Sequence, residues 1–201
     1  MKKITRADIK TVQEYESIRD RSRREVIALK KARRVSVGEF VTLVFENRAT
    51  VIHQIQEMMR VEHLYREEQI LQEIDAYNRL IPNDGELSAT LFVEVDDPRR
   101  IKPTLDSLRG IDKGQAVFLR LDAHTSIPAV FETGHSNEDK VSAVHYLRFV
   151  LDQRAQRLLG GGAGPSLVIE HPNYRGEVPL RDETRSELMN DLNRSAEARS
   201  T

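Results

Sequence analysis

The sequence predicts an α+β fold: a single domain with a mostly antiparallel sheet, a helix pair packed on it and a long N-terminal helix. Three observations carry this expectation. Apolar residues recur at steps of three and four over residues 12–29, 51–59 and 70–81. They alternate with polar ones over 89–95 and 117–121. Helical segments are also grouped along the chain rather than alternating with strands. At 201 residues the chain suits one domain, assigned to 1–192, with a frayed polar tail over 193–201.

Thr5 and Asp8 have the spacing of a capping box. Val12, Tyr15, Ile18, Ser22, Val26 and Leu29 then form a narrow stripe on a helix from Val12 to Arg33. A narrow stripe buries little, so much of this helix is expected to face solvent or another chain. Val35–Glu39 and Phe40–Phe45 read as β structure bent at Gly38, the second part apolar on both faces and so covered on each side. Asn47 is an N-cap for a helix whose face is Val51, Ile52, Ile55, Met58 and Met59. Its companion carries Ile70, Leu71, Ile74, Tyr77 and Ile81 and stops at Pro82-Asn-Asp-Gly85.

Ala89, Leu91, Val93 and Val95 mark a strand with one buried face. Asp97-Pro98 opens a helix to about Leu108, in which Pro103 is a potential break. Val117–Leu121 and Ile127–Phe131 predict a hairpin. Residues 141–151 fit both periods, and their aromatic and β-branched content favours a strand, followed by a helix to Leu159. Gly160–Pro165 reads as a flexible break, Ser166–Glu170 as the last strand and Glu183–Leu192 as a closing helix.

Cysteine is absent, which excludes disulfides, thiolate zinc sites, cysteine-ligated iron–sulfur clusters and cysteine nucleophiles. The glycine run lacks the Gly-Lys-Ser/Thr ending of a phosphate loop, and neither Gly-x-Ser-x-Gly nor His-Glu-x-x-His occurs. The first residues are basic without an apolar stretch behind them, and no run reaches the ~20 apolar residues of a membrane span. The expectation is a cytoplasmic protein with no membrane contact.

No cofactor is predicted, and a non-haem metal is the alternative to be tested. His53 and Glu57 share one helix face at i, i+4, with His63 following, while Glu132 and His135 form the one Glu-x-x-His spacing. Without a metal, these residues are simply a solvated helix surface and a polar loop tip. Carboxylates in the loop Glu132–Asp139 could also raise the pKa of His135 for proton transfer. Residues 1–34 hold twelve Lys or Arg against five Asp or Glu, although the whole chain has a net charge of −1. The basic helix, with Arg23, Arg24, Lys30, Lys31 and Arg34, is therefore a candidate partner-binding surface. A protein partner is favoured over nucleic acid, for which no motif appears. The helix also leaves a homodimer open.

Several strings together resemble an uncharacterised bacterial family, domain of unknown function 3501. They are Phe45-Glu-Asn-Arg48, Gln54-Ile-Gln-Glu-Met58, Glu73-Ile-Asp-Ala-Tyr-Asn78, Gly85-Glu-Leu-Ser-Ala-Thr-Leu91, Lys140-Val-Ser-Ala-Val-His-Tyr-Leu-Arg-Phe149 and His171-Pro-Asn-Tyr174. The family brings no catalytic residues with it. The resemblance implies a redox or peroxide-defence setting, because such genes often neighbour rubrerythrin-like and iron–sulfur, heterodisulfide-reductase-like proteins. With no cysteine of its own, the chain is expected to act as a non-catalytic accessory protein on an iron–sulfur oxidoreductase-like or rubrerythrin-like partner. A metal-binding protein or small enzyme using its His and Glu residues is the alternative, and nucleic-acid binding through the basic helix is the second. Glu46 and Arg48, where strand passes to helix, join the candidate partner-binding set; their simplest role is capping and an ion pair.

Overall fold

The structure, a computed structural model, describes residues 1–113, 115–132, 142–161 and 164–197. It begins with a short 3-10 turn, Arg6–Asp8, whose Thr5–Asp8 capping box forms as its spacing predicts. Helix α1 spans Val12–Arg33, closed at its start by Thr11 and Glu14 in a second capping box. Strands β1 (Arg34–Val37) and β2 (Val41–Glu46) follow, then helices α2 (Arg48–Val61) and α3 (Glu67–Asn78) and strand β3 (Glu86–Val93). Helix α4 (Pro98–Ser107) leads to β4 (Val117–Arg120), β5 (Ser126–Pro128), β6 (Val130–Phe131) and β7 (Val144–Val150). Helix α5 (Gln153–Gly161), the hairpin β8 (Ser166–His171) and β9 (Tyr174–Pro179), and helix α6 (Asp182–Glu197) complete the described chain.

The strands make two antiparallel sheets, in the orders β1-β2-β3-β7-β6 and β5-β4-β8-β9. Their odd-numbered side chains face each other: Leu43 and Phe45, Ala89 and Leu91, Leu147 and Phe149 meet Val117, Leu119, Leu167 and Ile169 in one buried core. This is the period-2 pattern turned inward from both sides. A second core lies on the far side of the five-stranded sheet, where Val51, Ile55 and Met59 of α2 meet Ile70 and Ile74 of α3 and Ile4 and Ile9 of the N-terminal segment. The helix pair therefore does lie on the sheet.

Tyr174 ties the sheets together. Its hydroxyl donates to the Val37 carbonyl at 2.6 Å and accepts from the Phe40 amide at 2.9 Å and the Val41 amide at 3.3 Å. Gly38, at φ +67°, makes this approach possible, because a Cβ there would sit 2.5 Å from the Tyr174 hydroxyl.

The structure departs from the sequence expectations at five places. Ile127–Phe131 is two strands, since β5 pairs with β4 and β6 pairs with β7, so the chain changes sheet at Ala129. Residues after His171 form β9, an edge strand whose side chains alternate in exposure. Pro103 leaves α4 unbroken, in a helix that Asp97 caps and Pro98 opens. Gly160 and Gly161 belong to α5 rather than to a break. Helix α6 runs on to Glu197, through the first part of the expected tail. Among the described residues, no helix is long and apolar enough to cross a membrane.

Candidate functional site

Helix α1 packs on α2, on α6 and on β2, and its inward face is held by ionic contacts as much as by apolar ones. Glu57 of α2 is the hub of the first contact. Arg19 embraces it, Nε to Oε1 at 2.8 Å and Nη2 to Oε2 at 3.0 Å, and the Tyr15 hydroxyl donates to Oε1 at 2.8 Å. Arg60 approaches Oε2 at 3.4 Å. The single Tyr15 proton is committed to Glu57, so His53, whose Nδ1 lies 3.1 Å from the same hydroxyl, donates to the Tyr15 oxygen as the Nδ1–H tautomer.

The electrostatics follow from these contacts. The Arg19 guanidinium, opposed by burial and helped by Tyr15, holds the Glu57 carboxyl down at about 2. Burial pushes the His53 imidazole below its ordinary value, with Lys30, Arg19 and Arg23 adding to the effect against Glu57. Burial also pushes the Tyr15 phenol up. A carboxylate occupied on both oxygens, beside a neutral imidazole, is a lock between two helices and a poor proton acceptor.

The candidate metal ligands do not converge. His53 and Glu57 share a helix face, but Glu57 is spent on Arg19, Tyr15 and Arg60. His63 lies exposed after α2, at φ +52°, stacked on Tyr65. Glu132 is at the end of β6, with Arg79 at 3.9 Å. His135 and the rest of the 133–139 loop lie outside the described residues. Among the described residues, no group of three or more His, Asp or Glu side chains could hold a metal ion.

The second contact was missed at the sequence level. Arg33 is fully buried, donating from Nε to the Phe45 carbonyl at 2.8 Å, from Nη1 to Glu187 at 3.0 Å, and from Nη2 to the Glu46 carbonyl and to Asp191. Asn47, besides capping α2 through the Ala49 and Thr50 amides, reaches Asp191 at 3.4 Å. The signal was present: Arg33 stands seven residues after Val26, on the same stripe.

The candidate partner-binding residues divide sharply. Glu46 is 3% exposed and accepts from Thr50 and Thr90, so it is withdrawn from any partner surface. Arg48 pairs with Asp8 at 2.5 Å, and Arg34 with Glu94 at 2.5 Å. Arg23, Arg24, Lys30 and Lys31 make no ion pair among the described residues. They stand at i−4, i−3, i+3 and i+4 from Ile27, the positions that surround a residue on a helix surface. Ile27 itself is 58% exposed. The result is an apolar residue ringed by four unneutralised cations.

Fold and surface together define a two-sheet α+β protein with one charged helix laid along its side, whose other ionic side chains are mostly engaged within the chain. The chain belongs to the family described as Protein of unknown function (DUF3501), which matches residues 3–192. It is similar to a novel protein of unknown function from Burkholderia pseudomallei K96243, known from a crystal structure at 1.90 Å resolution. The two share 33% sequence identity over 95% of this chain and 100% of that one, with a TM-score of 0.87. Among curated proteins, none matches.

Proposed function

We propose that the protein is a non-catalytic accessory protein that docks an acidic protein surface on the outer face of α1, in a cytoplasmic redox or peroxide-defence system. The partner is an iron–sulfur oxidoreductase-like or rubrerythrin-like protein, the class that the family resemblance implies. The observation that carries the reading is the ring of Arg23, Arg24, Lys30 and Lys31 around exposed Ile27. Cations left unpaired by their own chain are complementary to carboxylates on another, and the central isoleucine supplies the apolar contact that excludes water. A second copy of this chain would set four cations against four, so this face does not favour a homodimer. The isoleucine and the lack of aromatic side chains in the ring also suit a protein better than a nucleic acid.

The test is direct association of purified proteins, by calorimetry, at about 0.05 M and 0.5 M salt, across which the Debye length falls several-fold. The expected result is binding to one of the two partner types that weakens at least about tenfold in high salt, and is lost in the Arg23→Glu/Lys31→Glu variant. Absence of salt-dependent association with either partner type would remove the proposal. Stoichiometric iron, manganese or zinc in the purified protein would favour the metal-protein alternative instead. Duplex DNA or RNA binding with a steep salt dependence would favour the nucleic-acid one.

A further inference from the structure

The outer face of the five-stranded sheet is polar although the helix pair covers it. Glu46, Ser88 and Arg148 stand in one cross-strand row, and Thr90 and Tyr146 are partners in the next. Such groups are costly to bury unless each is bonded. Glu46 takes the hydroxyls of Thr50 at 2.5 Å and Thr90 at 2.8 Å, and Arg148 takes Glu86 at 2.8 Å and the Arg79 carbonyl.

Beside this layer, between α2, α3 and β7, the surface opens into a cleft of about 260 Å³. Tyr77 and Tyr146 supply aromatic walls, Met58 an apolar one, and Glu73, Glu132 and Arg79 the charges. Arg79 and Glu132 offset one another at 3.9 Å. Glu73 is different. It is half-buried, makes no hydrogen bond or ion pair among the described residues, and has its carboxyl pushed up by burial and by nearby Glu62. A partly desolvated carboxylate with no cation of its own is complementary to one supplied from outside.

We propose that this cleft binds a small organic ammonium ion, with its charge on Glu73 and its apolar body against Tyr77, Tyr146 and Met58. Aromatic faces attract cations, and Tyr and Met together accept an apolar body of irregular shape. The volume lies just below the range of drug-sized pockets, which fits a single ring or short chain. An anion is disfavoured by the unneutralised carboxylate. A metal ion would need several more convergent oxygen or nitrogen ligands.

Benzylamine is the probe, with benzyl alcohol and benzoate as its neutral and anionic counterparts. Calorimetry is expected to show saturable, one-to-one binding of benzylamine, at least about tenfold tighter than either counterpart. The Met58 methyl resonance, identified through Met58→Leu, should shift during the titration. Glu73→Gln keeps the side chain's size and should weaken benzylamine at least about tenfold without moving the melting temperature, while Tyr77→Leu should weaken it independently. No saturable binding, equal binding of the alcohol, or unchanged affinity in Glu73→Gln would overturn the proposal. The site is separate from α1, so the Arg23→Glu/Lys31→Glu variant should bind benzylamine as the parent does. Failure of the docking reading therefore leaves this one standing, and the reverse.

Discussion

Arg33→Met gives the most direct measure of how the charged helix is held. The substitution keeps an apolar stem in a fully buried position and removes all four donated hydrogen bonds, to Phe45, Glu46, Glu187 and Asp191. Asp191, 3% exposed, then lacks its guanidinium in the interior. Removing one partner of a buried ion pair costs about 3–5 kcal/mol. For a domain of this size each kcal/mol moves the melting temperature about 2–4 °C, so the midpoint should fall by roughly 6–20 °C.

The pH dependence gives a second, independent signature. Burial already raises the Asp191 carboxyl above its ordinary value of 3.8, against the pull of Arg33 and Asn47. In Arg33→Met that pull is gone and the folded-state value climbs further above the unfolded one. The folded variant then binds more protons than the unfolded chain between the two values, so its stability is greatest in acid and falls as pH rises through the folded-state pKa. Urea unfolding of parent and variant from acid to neutral pH should therefore show the smaller penalty at the acid end. Asp191→Asn placed on top of Arg33→Met should recover part of the loss at pH 7. A penalty under about 1 kcal/mol at pH 7 would refute the assignment of Arg33 as a buried ionic anchor, whose loss should cost several times that. A penalty independent of pH would refute the role given to Asp191.

Two further predictions concern single groups. Tyr174→Phe keeps the ring and removes one hydroxyl that serves Val37, Phe40 and Val41. It should cost about 1–3 kcal/mol in denaturant unfolding, and a change under about 0.5 kcal/mol would show that the hydroxyl does not join the sheets. Glu57, held at about 2 against an ordinary 4.5, contributes stability that is present above about pH 4.5 and lost as pH falls toward 2. The stability difference between parent and Glu57→Gln should accordingly shrink across that window in acid titration. A difference that stays constant would mean that Arg19 and Tyr15 do not depress the carboxyl.

The elements whose burial is one-sided were legible in the sequence, because a single period shows there. Val12–Arg33 is legible as a long helix from its 3.6-period spacing and the change to alternation beyond it, whereas the capping pair Thr11–Glu14 that closes its start is not singled out at the sequence level. The strand Val144–Val150 was separable from a helix by its aromatic and β-branched content. What escaped lay where tertiary context decides. Ala129 carries no local mark of a change of sheet, and Tyr174–Pro179, an edge strand with alternate residues exposed, shows too few apolar residues to stand out. Alternation with Ala89 and Leu91 places Ser88 and Thr90 on the opposite face of their strand, yet both are buried, since the polar face of this sheet is covered as well. Polarity reports what a side chain bonds to, and the Thr90 hydroxyl bonds to Glu46 rather than to water. At the candidate site, charge alone singles out Arg23, Arg24, Lys30 and Lys31 as candidates, while Arg33 escapes because an arginine on an apolar stripe has no signal of its own until its carboxylates, 154 and 158 residues away, are placed.

That division explains how a nearly neutral chain presents a charged face. The net charge of −1 describes the sum, but folding sorts the cations of α1 into two populations. Arg19 and Arg33 lie on the inward face, each bound to carboxylates from α2 or α6. Arg21 is matched on the surface by Glu25 one turn on. Arg23, Arg24, Lys30 and Lys31 are left by this sorting, and they are adjacent because i±3 and i±4 positions share a surface. Many of the anions that would cancel them in the total are occupied elsewhere: Glu57, Glu187 and Asp191 in the locks, Glu94 with Arg34, Asp8 with Arg48. A field from the unpaired four extends about a Debye length into solvent, opposed on α1 by the single carboxylate of Asp20, three and four residues before Arg23 and Arg24. Releasing one lock should therefore alter the proposed docking face. In Arg19→Met, Glu57 loses its bidentate partner one turn from Arg23, and the freed carboxylate partly cancels the ring. Partner affinity should fall in Arg19→Met even though Arg19 itself touches no partner, and the fall should vanish in the Arg19→Met/Glu57→Gln double variant. A deficit that persists in the double variant would mean that the ring acts through shape rather than charge.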